Sequence, residues 1–131
     1  MSELSEAMKH SPNFYAEEGA SLHQIEEAEK ALKLKFALDF KECLREFGAV
    51  SIDGHELTGI SADKNLDVVE VTEKNREGID SEKELYVIEE AHIDGIVIWQ
   101  DSEGIIYETA PNLDAKKIAN SLAEYLCIHQ Q

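Results

Sequence analysis

Leu85-Tyr86-Val87-Ile88, Gly95-Ile96-Val97-Ile98-Trp99 and Ile105-Ile106-Tyr107-Glu108 follow one another within residues 85–108. Each run is rich in β-branched and aromatic side chains, too short for a core helix, and bounded by residues that favour turns, so each reads as a strand. Asp101-Ser102-Glu103-Gly104 joins the last two as a turn, which makes the group an antiparallel meander. A sheet of this kind must cover its apolar face, and the rest of the chain supplies the cover.

Toward the N-terminus, Val50 and Ile52 alternate with small or polar residues, Asp53-Gly54 is a hairpin turn, and His55 to Ile60 can return as a partner strand. Between this hairpin and the meander, Val68, Val69 and Val71 favour a strand, but Asp67 as a cap and the charged run Glu73 to Glu77 favour a short helix over Asp67 to Arg76. Earlier still, Ser21 with Gln24 has the form of a capping box, and Leu22, Ile25, Ala28 and Leu32 recur at helical spacing. Phe36, Phe40, Cys43, Leu44 and Phe47 mark a second helix, with Gly48 as its stop. Beyond the meander, Pro111-Asn112 ends the sheet, and Ile118, Leu122, Tyr125 and Leu126 predict a final helix. The expected fold is α+β: N-terminal helices, an antiparallel or mixed β meander and a C-terminal helix in one domain spanning residues 1–131.

A chain of 131 residues can bury a core without disulfides or a structural metal. Cys43 and Cys127 both lie among apolar helical neighbours, which suits buried, reduced thiols. Acidic residues number 28 against 12 basic ones, a formal charge of −16. Such a field repels nucleic-acid phosphates and anionic membranes and steers a basic protein inward. No apolar run has the length of a membrane span or a signal peptide, so a cytoplasmic protein is expected.

Catalytic and metal motifs fail on spacing. His55-Glu56 opens like a zinc-protease helix, but Gly59 stands where the second histidine belongs. Asp63, Asn65 and Asp67 open like a calcium loop, but Val68 replaces its glycine and Lys74 its closing glutamate. His10, His23, His55, His92 and His129 are scattered, and Cys43 sits on an apolar stripe where burial makes a thiol inert. No phosphate loop or nucleophile elbow is present, and carboxylate pairs such as Glu89-Glu90 are expected in so acidic a chain. Trp99 and Tyr107 read as core rather than interface anchors.

Glu18-Gly19-Ala20-Ser21 before Ile25-Glu26-Glu27-Ala28-Glu29, then Leu38-Asp39-Phe40-Lys41 and Phe47-Gly48-Ala49, resemble the opening of SUKH superfamily proteins. Leu57-Thr58-Gly59-Ile60, Asp67-Val68-Val69, Tyr86-Val87-Ile88, Asp94-Gly95, Gly104-Ile105-Ile106-Tyr107-Glu108 and Ser121-Leu122-Ala123-Glu124-Tyr125-Leu126 extend the likeness over nearly the whole chain. Ala37 departs from it, standing where the family often has a proline at the start of the second helix. The resemblance implies a non-enzymatic immunity protein of the bacterial branch, without a cofactor, that neutralises a secreted or contact-delivered toxin by stoichiometric binding. Nuclease toxins, which must attract phosphate, fit the acidic charge. The fungal branch implies a regulatory scaffold of cell-wall synthesis instead, and a small hydrolase using two carboxylates is a further alternative.

For partner binding the expected residues are Glu56, Glu89, Glu90 and Asp94 at strand ends, with Asp101 and Glu103 in the hairpin. Acids held in tight turns lose little entropy on pairing with Arg or Lys. Self-association is left open by the sequence.

Overall fold

A computed structural model of the protein describes residues 3–76 and 84–127. The chain begins with α1 (Glu3–Lys9) and a short strand β1 (Tyr15–Glu18), neither of which the periodicity had signalled. Then come α2 (Leu22–Leu32), α3 (Leu38–Glu46), the hairpin of β2 (Phe47–Ile52) and β3 (His55–Leu57), and α4 (Val68–Arg76). The C-terminal half holds β4 (Tyr86–Glu90), β5 (Val97–Gln100), β6 (Ile106–Ala110), β7 (Leu113–Ala119) and α5 (Leu122–Tyr125). The architecture is α+β, with a three-stranded sheet β1-β2-β3 and a four-stranded sheet β4-β5-β6-β7, antiparallel throughout.

Local chemistry explains most of these elements. The Ser21 hydroxyl accepts the Gln24 N–H while the Gln24 side chain accepts the Ser21 N–H, closing the expected capping box of α2. Asp67 settles the ambiguous segment as a helix, since its carboxylate accepts N–H groups of Glu70 and Ser61 and leaves Val68, Val71 and Thr72 to face inward. Asp53, with φ of 46°, and Gly54, with φ of 86°, make the β2–β3 turn.

Several expectations are corrected. Gly48 does not stop the second helix; α3 ends at Glu46 and the chain passes straight into β2, so Phe47 and Gly48 are strand residues. Pro111-Asn112 does not end the sheet but turns it, Asn112 taking φ of 66°, and Ile118 lies on β7 rather than on a final helix. That helix is reduced to the four residues of α5. Cys127 is exposed, because α5 ends before it, whereas Cys43 is buried as expected. Glu77 and His129 lie outside the described residues.

Alternation along the larger sheet divides the core. Tyr86, Ile88, Ile98 and Ile106 face the main cluster with Leu4, Ile25, Leu32, Phe40, Leu44 and Leu122. Val87, Trp99 and Tyr107, in register on the other face, pack with Val71 and Leu85. Trp99 and Tyr107 are therefore core residues, 1% and 8% exposed. The two sheets are tied where Thr58 donates its N–H to the Ile88 carbonyl at 2.8 Å and its hydroxyl to the Val87 carbonyl at 2.9 Å. No helix among the described residues is long and apolar enough to cross a membrane.

Candidate binding surface

Four of the six expected acids lie at the two ends of β5, with Glu89 on β4 opposite Ile98 and Glu56 on β3. Asp94 precedes this strand and Glu90 pairs with its first residue, Val97, while Asp101 and Glu103 lie in the turn that follows its last. Two of the six are interior. Glu89 is 6% exposed and lies where the sheets meet: its Oε1 accepts the Tyr125 hydroxyl at 2.5 Å and faces His55 Nδ1 at 3.0 Å, and its Oε2 accepts the Glu56 N–H at 2.8 Å. Asp101 is 9% exposed; Oδ1 accepts the N–H groups of Glu103 and Ile105, and Oδ2 accepts the Tyr107 hydroxyl at 3.0 Å. Both carboxylates are spent on the protein's own donors and present nothing outward. Glu90 is half-buried and bound by Lys74 and Asn75, which leaves Glu56, Asp94 and Glu103 as the exposed members.

Glu89 acts as a fastener between β3, β4 and α5. Its place at a strand end suggested an acid free for a partner, but a register shift falls between Val87 and Glu89, and Ile88 and Glu89 are both buried. The Tyr125 hydroxyl is pushed well above the usual phenol range, first by burial, then by its bond to Glu89 and that carboxylate's charge, so it stays a donor.

A second interior network escaped sequence reasoning. The Tyr86 hydroxyl donates to Gln100 Oε1 at 2.6 Å and accepts the Ala37 N–H at 2.9 Å. Gln100 Nε2 donates to Asp39 Oδ1 and the Gly104 carbonyl, and Asp39 Oδ2 accepts the Leu122 N–H. Proline at position 37 would delete the N–H that Tyr86 uses, which accounts for the alanine there. Near it, buried Glu29 accepts the Phe36 N–H at 2.8 Å with Lys35 and Lys41 within 4 Å. Among the described residues, no buried side-chain polar atom lacks a partner.

Described residues line two surface depressions that bear on binding. The larger, about 590 Å³, is lined by Lys30, Lys33, Lys35 and Lys41 together with Glu26, Glu29 and Glu84, over Ile25 and Leu34. The smaller, about 340 Å³, lies between α1 and the β2–β3 turn and is lined by His10, Asp53, His55 and Cys127. Among the described residues, no three His, Cys, Asp or Glu side chains converge as a metal set. Asp63 and Asp67 bind backbone N–H groups of Asn65, Ser61 and Glu70. The groups displaced in ionisation are the Cys43 thiol and the Tyr86 and Tyr125 phenols, all raised chiefly by burial. Each is therefore held neutral inside the fold, the opposite of an activated nucleophile.

The chain matches no curated protein. A family model described as SUKH_5, SMI1-KNR4 cell-wall, matches residues 1–128, spanning both sheets and the helices that pack on them. The likeness carried by the sequence motifs and the match over the whole described fold agree: the chain belongs to the SUKH superfamily.

Proposed function

We propose that the protein is a non-enzymatic immunity protein of the bacterial branch, acting in the cytoplasm by binding a cognate toxin with a basic surface, plausible targets being nucleases. The observation that carries this reading is the division of its polar groups. Among the described residues the buried side-chain polar atoms are all partnered within the fold, and the chain as a whole carries a formal charge of −16. A surface of that kind accelerates encounter with a basic partner and has little to offer a reaction. Membership of the superfamily supports the reading.

The test is to express the tagged protein in its source cell, wash at low and high salt, and assay what is retained. The expected result is a one-to-one complex with a toxin whose activity disappears on binding and whose association is faster at low salt. The cell-wall description of the matching family favours one alternative, a regulatory scaffold. Retention of cell-wall enzymes alone would establish that alternative.

A further inference from the structure

The loops β4–β5 and β6–β7 meet at one end of the larger sheet. Gly95 backs onto the Pro111 ring so closely that a Cβ there would lie 2.8 Å from Pro111 Cγ. Four residues in the two turns adopt left-handed backbone: His92, Asp94, Gly95 and Asn112, with φ between 54° and 69°. Closing bonds run from the Ile96 N–H to the Ile93 carbonyl at 3.0 Å and from the Ala91 N–H to the Ile96 carbonyl at 3.1 Å. Each connection places a large apolar residue beside an aspartate: Ile93-Asp94 within the β4–β5 turn, and Leu113-Asp114 opening β7 directly after the Pro111-Asn112 turn. Ile93 is 61% and Leu113 70% exposed, and both aspartates are exposed. Pro111 is exposed between them.

We infer that this tip, Ile93-Asp94 and Pro111 with Leu113-Asp114, is the surface that docks the toxin, the two apolar side chains entering a socket with a basic rim. The inference rests on the function proposed above and names its site. Large apolar side chains held out on turns carry an unfavourable exposure that a partner relieves, and ordered turns lose little entropy on docking. Acids beside each anchor select a basic rim. Other surfaces fit less well. The larger depression mixes four lysines with three glutamates, Glu26, Glu29 and Glu84, and so offers a basic partner no uniformly acidic rim. The open edge of β7 carries Lys116 and Lys117, and its pairing with β6 is interrupted by register shifts at both ends, which blunts it for strand addition.

The test uses four forms of the full chain: wild type, the tip variant Ile93→Ser with Leu113→Ser, the charge variant Asp94→Asn with Asp114→Asn, and a control at exposed apolar positions away from the tip, Leu38→Ser with Leu22→Ser. Far-UV circular dichroism and urea unfolding verify folding, which exposed positions should preserve. The probe is the protein retained and inhibited by wild type. The tip variant is expected to weaken its binding by about thirtyfold or more, as a central apolar anchor does, with the control within about threefold of wild type. Asp94→Asn with Asp114→Asn should slow association mainly at low salt. If wild type inhibits a toxin and the folded tip variant does so equally well, the tip is overturned and the immunity reading stands. If wild type suppresses no toxin, both fall together.

Discussion

Glu89 and Glu90 are adjacent in the chain and opposite in circumstance. Glu89 is enclosed and accepts three donors, whereas Glu90 meets Lys74 and Asn75 at the rim. Removing Glu89 leaves the Tyr125 hydroxyl and the Glu56 N–H without their acceptor in a nearly closed space. Glu89→Ala should therefore cost about 2–4 kcal/mol in urea unfolding, against about 1 kcal/mol or less for Glu90→Ala. A pH dependence follows from the buried thiol and phenols. Their folded pKa values lie above the unfolded ones, so the folded state keeps its protons while the unfolded chain loses them. The associated stability is present below about pH 9, the thiol's ordinary value, and is lost as pH rises beyond it. Unfolding midpoints measured from pH 7 to 11 should fall above pH 9, and Cys43→Ala with Tyr125→Phe should flatten that fall. Thiol labelling of the native protein should modify exposed Cys127 and spare Cys43.

At the scale of elements, the joint that matters within the three-stranded sheet is the close passage of β2 against the residues that follow β3. A Cβ on Gly59 would lie 2.3 Å from the Gly48 backbone carbon and 2.4 Å from its oxygen. Backbone cannot yield as a flexible side chain does, so Gly59→Ala should destabilise by about 2–3 kcal/mol. Gly54, with nothing within 4 Å of its Cβ position, should lose about 1 kcal/mol on conversion to alanine, from backbone conformation alone. Chemical denaturation of the two variants separates the effects. Close packing of β2 also explains an error of sequence reasoning: Gly48 looks like a helix stop, but a Cβ there would lie 2.8 Å from Glu17 Cβ and 2.9 Å from the Glu18 carbonyl oxygen of the neighbouring strand.

The molecule as a whole carries its charge of −16 on a fold whose polar interior is already satisfied. Net self-repulsion opposes compaction, and salt screens it. Raising ionic strength from about 0.01 to 0.15 M should increase the melting temperature by about 4 °C, equivalent to about 1 kcal/mol for a chain of this size. Calorimetry in a non-binding salt measures it. A flat or falling response would show that attractive pairs such as Lys74–Glu90 outweigh the repulsion.

The sequence by itself determined the α+β class, the capping box of α2, the β2–β3 hairpin and the strands of the central meander. Each of these is written in contiguous residues, through periodicity, caps and turn formers that act over a few positions. It also determined the sign of the electrostatic field, which depends on composition alone. Tertiary structure decided that Ile118 joins a strand, because β7 is held by pairing with β6 and its side chains are too polar to announce it. It decided too that Glu89 and Asp101 turn inward while Ile93 and Leu113 stand out beside the contact of Gly95 with Pro111. Which face of a strand meets the core depends on register shifts and on partners many residues away, and neither is encoded in the spacing of the strand's own residues.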